Sequence, residues 1–299
     1  MADATACPAE PLAERTYLLR PPERIRLISS DLDGTMLFEH RTITPRVRSA
    51  LHACAQAGLP IVPNTGRQHL KLASLLGEAG GPVGLAVTNN GAVGVDLASG
   101  EILFEELIHP DAQLYLGERL TATLPDVRFW ALRSGARESV LQHGYRELMN
   151  EQEIVHGGPI GDSAPLPEVL AEPAIKLIVR HPLMPPHQLL HEIQRLDLPG
   201  FHATTSGAPF VEVQGLGVTK ASGIARLTQH LGVEPREVLA IGDELNDIEM
   251  IRWAGYGVAM GNALPQVKAA ADAVTAPNSA DGLALVLETL LAVRELTAS

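Results

Sequence analysis

Cysteine is almost missing from this chain: among 299 residues there are two, Cys7 and Cys54. A disulfide framework is excluded by that count, and a reducing cytoplasm is the compartment expected. Lysine is scarce too, with Lys71, Lys176, Lys220 and Lys268 set against 19 arginines. A lysine beside other reactive residues therefore carries more weight than usual. Positive charge is in deficit overall, the net being −12. Nucleic-acid binding needs clustered Lys and Arg on phosphates, so a nucleic-acid partner is not expected. A small phosphorylated ligand stays open, because it needs only a few local cations or a metal ion. No apolar run approaches the ~20 residues of a membrane span, so no membrane partner is expected. The N-terminus lacks the basic-then-apolar run of a secretory leader.

What is present is ordinary for a globular chain. Hydrophobic residues make up 45% and charged residues 19%, enough to bury a core without disulfides or structural metals. Residues 1–23 are rich in Ala, Pro and Glu without a period and read as a loose tail. Ile25-Arg26-Leu27-Ile28-Ser29-Ser30 then reads as a strand ending at Asp31. Thr44 and Pro45 are the N-cap and first position of a helix whose apolar face is Val47, Ala50, Leu51 and Cys54, with Gly58 as its stop. A strand at 59–62, a helix over about 67–78 and a strand at 85–88 follow. Strand–helix–strand alternation indicates a parallel sheet with crossover helices.

The pattern blurs between 95 and 207, where short strands mix with two or three helices and Pro/Gly clusters punctuate the chain at 157–167 and 182–186. That stretch reads as an inserted α+β domain. Alternation returns with a helix at 220–231, strands at 238–241, 257–260 and 273–275, and helices at 246–254, 265–271 and 280–294. The expected division is therefore a first core segment at 24–94, the insert at 95–207 and a second core segment at 208–299.

Ligands of open parallel sheets bind beyond the carboxyl ends of the strands. The residues found there are polar: Asp31-Leu32-Asp33-Gly34-Thr35, Asn64-Thr65-Gly66-Arg67, Asn89-Asn90-Gly91 and Gly242-Asp243-Glu244-Leu245-Asn246-Asp247. Convergent carboxylates repel one another, and a divalent cation removes the conflict. Oxygen ligands without nearby Cys or His point to Mg²⁺ rather than zinc. Asp31 is placed to act as a nucleophile on phosphorus, and Asp33, two residues on, as acid and then base. Thr65, with the backbone N–H groups beside it, and Lys220, opening a helix, suit a phosphoryl group.

In order along the chain, Asp31-Leu32-Asp33-Gly34-Thr35, Thr65, Lys220 and Gly242–Asp247 resemble the four motifs of the haloacid-dehalogenase superfamily. The surrounding residues Asn90-Gly91-Ala92, Val218-Thr219-Lys220, Val258-Ala259-Met260-Gly261-Asn262-Ala263 and Asp281-Gly282 resemble its Cof-type branch, which carries a type IIB cap. The resemblance runs from about 27 to 287 and is thinnest in the cap. It implies an α/β fold, a Rossmann-like parallel-sheet core with an inserted α+β cap. It also implies a Mg²⁺-dependent phosphatase acting on a small phosphorylated metabolite through an aspartyl-phosphate. Asp31 and Asp33 would be catalytic. Thr65, Gly66, Lys220 and Asn246 would hold the phosphoryl group, and Asp31, Asp33, Asp243 and Asp247 would serve the metal, Asp247 from the outer shell. Pro63-Asn64 before Thr65 departs from the small residue common there.

Each motif also has a plain structural reading. Asp-x-Asp-Gly-Thr can be a turn, Thr65 a helix N-cap, and Lys220 a solvated lysine. Gly217-Val218-Thr219-Lys220 is not a P-loop, since no Gly precedes the Lys. His187 and His191 lack the further ligands of a zinc site and read as surface residues. Arg128, Arg133, Arg137 and His143 are cap candidates for contact with an anionic substrate. Two rival functions remain at this point, a phosphosugar mutase of the same superfamily and a phosphate-binding regulator without turnover.

Overall fold

The computed structural model describes residues 19–39, 41–150 and 161–298. Most of the N-terminal tail, with Cys7, and part of the 157–167 cluster lie outside the described residues. In chain order the strands are β1 (Leu27–Ser30), β2 (Ile61–Pro63), β3 (Leu85–Thr88), β4 (Val93–Asp96), β5 (Glu101–Glu105), β6 (Arg128–Arg133) and β7 (Glu138–Gln142). They continue with β8 (Asp162–Ala164), β9 (Lys176–Arg180), β10 (Phe201–Thr204), β11 (Val211–Gly215), β12 (Val238–Gly242), β13 (Tyr256–Ala259) and β14 (Ala273–Val274). The helices are α1 (Pro45–Gln56), α2 (Leu72–Ala79), α3 (Pro110–Thr123), α4 (Leu166–Val169), α5 (Pro186–Arg195), α6 (Lys220–Leu231), α7 (Ile248–Trp253), α8 (Pro265–Ala270) and α9 (Gly282–Ala298).

The two alternating blocks of sequence build one parallel sheet in the order β14-β13-β12-β1-β2. All four residues of β1 are buried, with Leu27 and Ile28 in separate apolar clusters on opposite faces, as a strand covered by helices on both sides requires. Helix α1 starts as its sequence dictates. The Thr44 hydroxyl accepts the Val47 N–H at 3.3 Å, and Pro45 occupies the first turn. Its buried Val47, Leu51 and Cys54 share a cluster with Leu283, Leu287 and Leu290 of α9. Burial pushes the Cys54 thiol up to about 11, so it is a packing residue and unreactive.

Strand β3 departs from the expected pattern. A single parallel bridge, Asn64 to Val87, joins it to β2, and its main pairing is antiparallel with β4, which pairs in turn with β5. The Gly91 turn is short enough to make a hairpin, and hairpin strands are antiparallel. A second sheet, mostly antiparallel, runs β10-β11-β9-β6-β7-β8. Strand pairing thus draws the insert differently from the 95–207 span read in sequence. Strands β4 and β5 stay with the core meander, while β11 at 211–215 belongs to the second sheet.

Period-two alternation decides how the two units meet. Phe129, Ala131, Leu177, Val179, Val211 and Val213 point toward α3, α4 and α5. Trp130, Leu132 and Ile178 point the other way and pack with Ala92, Val93 and Val218 of the core. The second sheet therefore lies face-down over the β3–β4 turn. That turn is held tightly. Gly91 has φ +101°, and a Cβ there would sit 1.9 Å from the Thr219 carbonyl oxygen, a backbone atom that cannot swing away. Gly91→Ala is expected to destabilise the fold by about 3 kcal/mol or more in urea unfolding. A value under about 1 kcal/mol would show the turn to be loosely packed.

Candidate active site

Adjacent parallel strands deliver the central residues. β1 and β12 pair with Ser30 opposite Ile241, so the segments leaving their carboxyl ends start side by side. The Asp31 N–H donates to the Ile241 carbonyl at 2.9 Å and carries the ladder one residue past β1. Lys220, the first residue of α6, reaches the same place from below the second sheet. Thr219 caps that helix, its hydroxyl accepting the Ser222 N–H at 3.2 Å while the Ser222 hydroxyl accepts the Thr219 N–H at 2.9 Å. Asn64 fixes the turn by donating to the Lys220 carbonyl at 2.9 Å.

The Lys220 ammonium is 1% exposed and donates to Asp31 Oδ1 at 2.5 Å and to Asp247 Oδ1 at 2.6 Å. The other Asp247 oxygen accepts the N–H groups of Asp243 and Glu244 at 2.9 and 3.0 Å. Asp243 is steadied by the Thr35 hydroxyl at 2.8 Å and the Asn262 amide at 3.1 Å. The first loop passes so close that only glycine fits at position 34, where φ is +79° and a Cβ would lie 2.3 Å from Asp243 Oδ2.

Asp31, Asp243 and Asp247 are all buried and bring carboxylate oxygens within 4.8 Å of one another. One ammonium thus faces three carboxylates. Burial lifts Asp31 well above the ordinary carboxylate range; Lys220 pulls it back, and Asp247 and Asp243 push it up again. Asp243 is raised to about 7, by burial first and by Asp247 second. For Lys220, burial favours the neutral amine, but the two carboxylates outweigh it and hold the pKa above the usual lysine value. The group is oxygen-only, deeply set and over-supplied with negative charge. Those properties fit a hard divalent cation.

Asp33 stands apart from this trio. Its carboxylate takes both prongs of the Arg67 guanidinium, Nε at 2.7 Å and Nη2 at 2.5 Å. The Thr65 backbone is held at both ends: its N–H donates to Val87, and its carbonyl accepts the Asn90 N–H at 3.0 Å. The Thr65 hydroxyl accepts the Arg67 N–H at 3.1 Å and caps no helix, because α2 begins only at Leu72 after a short 3-10 turn. The Gly66 carbonyl accepts from Lys176 Nζ at 2.7 Å; that lysine stands on β9 of the second sheet and pairs with Glu212 of β11 at 2.7 Å. Asn246 faces this loop, its amide donating to Asn90 Oδ1 at 2.9 Å. The eight motif residues read from sequence therefore lie at the strand ends or, for Lys220, at the start of α6, with Asp33 beside Asp31 and Gly66 against Asn90 and Glu212.

The family model for haloacid dehalogenase-like hydrolases matches residues 28–287. The chain belongs to that family. It is similar to 5-amino-6-(5-phospho-D-ribitylamino)uracil phosphatase YcsE of Bacillus subtilis (strain 168), 31% identical over 270 residues that cover 87% of this chain and 93% of that one. The HMP-PP phosphatase of Serratia proteamaculans (strain 568) is 27% identical over 260 residues, covering 81% and 86%. Among solved structures, the phosphatase BT1666 of Bacteroides thetaiotaomicron superposes with a TM-score of 0.74 at 26% identity, covering 91% of this chain and 97% of that one. The subclass IIB sugar phosphatase BT4131 shares the fold, with a TM-score of 0.73 at 24% identity, covering 88% and 98%. A parallel-sheet core with a cap, the fold shared with these two structures, is thus the architecture of this haloacid dehalogenase-like hydrolase.

Several residues of the site escaped the sequence reading. Arg67 carried a signal, being two positions past Thr65 and at a strand end. Thr35 and Asn262 lay inside quoted strings but had no assigned partner. Lys176 and Glu212 carried no signal, since only the pairing of β9 with β11 places them over Gly66. The cap cations fare differently. Arg133 is buried and donates to the Glu168 and Val169 carbonyls at 2.9 and 3.0 Å, on the helix-covered side of its sheet, and Arg128 donates to Pro125 and Val127 carbonyls. Both arginines therefore serve the cap's own backbone. Arg137, His143, His187 and His191 are exposed. Among the described residues, no helix is long and apolar enough to cross a membrane.

The raised Asp243 pKa sets a pH dependence. An aspartate with a value of 3.8 when unfolded and about 7 when folded favours the fold below the lower value and loses that contribution as pH rises through the higher one. A bound cation competes with those protons. The gain in melting temperature from saturating Mg²⁺ over EDTA is expected to grow from about pH 5 to about pH 8. An equal gain at both ends would count against this cluster as the cation site.

Proposed function

We propose that this hydrolase is a Mg²⁺-dependent phosphatase that cleaves small phosphomonoesters through an aspartyl-phosphate on Asp31. The observation that carries the reading is the buried Asp31–Lys220–Asp247 bridge with Asp243 beside it, at the ends of neighbouring parallel strands. The two curated relatives described above are both named phosphatases, though of different compounds. The reading therefore commits to the ester class.

In this mechanism Lys220 orients the Asp31 carboxylate, and one Asp31 oxygen attacks phosphorus as the bond to the leaving oxygen breaks. Asp33, protonated on an oxygen that Arg67 releases, gives that proton to the leaving oxygen. The resulting carboxylate then takes a proton from a water that attacks the phosphoryl group, freeing Asp31 and inorganic phosphate. Arg67 fixes the direction of Asp33, and its charge holds the carboxylate in place between the two steps. Thr65, Gly66, Lys220 and Asn246 surround the phosphoryl oxygens. Asp31, Asp243 and Asp247, with Asp33 alongside, would hold a Mg²⁺ ion, which supplies charge neutralisation for the transferred group. Lys176 and Glu212 bring the second sheet down onto the Gly66 carbonyl, so the leaving group lies between cap and core.

The test is phosphate release from a panel of phosphomonoesters with Mg²⁺ or EDTA. Wild type should release phosphate only with the metal. Asp31→Asn should fall to background, and Asp33→Asn should lose roughly 10²–10⁴-fold in kcat. Asp31→Asn with wild-type turnover would exclude the aspartyl-phosphate. Conversion of a sugar phosphate to its isomer with no free phosphate would move the assignment to the mutase.

A further inference from the structure

The β3–β4 turn puts one more polar group into the site. Asn90 is 1% exposed and has left-handed backbone, φ 57° and ψ 36°. Its N–H donates to the Thr65 carbonyl, and the neighbouring Asn89 N–H donates to the Arg67 carbonyl, both at 3.0 Å. The turn is thereby stapled along the Thr65–Arg67 loop. The Asn90 side chain lies against that loop as well, since a Cβ on Gly66 would come within 2.9 Å of Asn90 Oδ1.

Asn90 Oδ1 accepts the Asn246 amide at 2.9 Å, and this one bond is all that the two side chains share. Asn90 Nδ2 and Asn246 Oδ1 have no protein partner, although both residues are buried. Turning both amides over keeps one N–H₂ and one carbonyl without a mate, the N–H₂ then being that of Asn246, so the pair offers one spare donor in either arrangement. Buried polar groups in folded proteins are nearly always hydrogen-bonded, so such a leftover calls for a partner from outside the chain, a water or a ligand. The other buried asparagines of these loops, Asn64 and Asn89, leave only carbonyl oxygens over. As the two amides stand, the donor left over among these four is that of Asn90.

A phosphoryl group brings three anionic oxygens that need donors. Lys220 has already committed two of its three N–H groups, to Asp31 and Asp247. We propose that Asn90 is a phosphoryl-binding residue, its side-chain amide donating to a phosphoryl oxygen while Asn246 holds the amide in orientation. The inference rests on the phosphatase reading of the site. It adds a ligand contact from a turn outside the four motifs. A left-handed asparagine suits the role, because few other side chains tolerate that backbone and carry an amide.

Calorimetric titration with inorganic phosphate in the presence of Mg²⁺ tests the contact without relying on turnover. Asn90→Asp keeps the backbone preference and the acceptor for Asn246 but replaces the donor with negative charge. Asn90→Gly keeps the backbone and removes the amide. Both variants should weaken phosphate binding by about tenfold or more, the loss expected for one charge-assisted hydrogen bond, with Asn90→Asp the worse. KM for the preferred ester should rise with it, and melting temperatures should stay near wild type. Wild-type phosphate affinity in either variant would overturn the assignment, whatever happens to kcat; a water molecule satisfying the amide gives that result. Affinity lost only in step with a large drop in melting temperature would make Asn90 structural and overturn it too. Wild type that binds phosphate but hydrolyses no ester would fault the phosphatase reading while leaving this contact standing. Wild type that binds no phosphate would end both.

Discussion

A single buried ammonium organises the site. Lys220 lies between Asp31 and Asp247 with almost no exposure, at 2.5 and 2.6 Å. Removing a charge from water is costly unless close partners replace the lost hydration. Here two carboxylates do so, and each of them would be equally costly without the ammonium. The three charges come from β1, α6 and the loop after β12, so their mutual need ties together three parts of the chain that are far apart in sequence. Removing Lys220 leaves two buried carboxylates without their shared cation.

That bridge leaves a surplus. Asp243 stands beside it, raised to about 7 by burial first and by Asp247 second, so three carboxylates share the one ammonium of Lys220. A purely structural ion cluster would be expected to balance its charges. The loops tolerate the imbalance because their backbones are over-determined: Thr35 and Asn262 hold Asp243, two backbone N–H groups hold Asp247, and Gly34 lets the first loop pass within touching distance. Stored electrostatic repulsion of this kind is relieved when a cation and an anionic ligand arrive together.

The second sheet contributes through its underside. Period-two alternation sends one set of residues to its own helices and the other to the core. On that underside the buried Lys176–Glu212 pair reaches the Gly66 carbonyl, beside the loop that carries Thr65. Cap and core are thus joined by a polar contact at the site itself as well as by the apolar contacts of Trp130, Leu132 and Ile178. A cap fixed by hydrophobic packing alone would have no reason to register on one backbone oxygen. This contact makes the position of the Thr65–Arg67 loop depend on the position of the cap.

Much of this was legible in the residues before any coordinates. Apolar strands followed by Asp, Thr or Gly-Asp, with helices of 3.6 period between, specify a parallel sheet and place polar groups at its carboxyl edge. Local rules also placed the start of α1 at Thr44-Pro45 and of α6 at Lys220, since a helix start depends on neighbours a few residues away. Tertiary structure alone decided the rest. Nothing local moves the insert's edge so that β11 joins the second sheet, or turns Arg133 toward the Glu168 and Val169 carbonyls. The pairings Arg67–Asp33, Lys176–Glu212 and Asn90–Asn246 join residues 34, 36 and 156 positions apart. A side chain's type and spacing state what it is able to do; which partner it meets depends on how sheets pair and pack, a property of the whole chain.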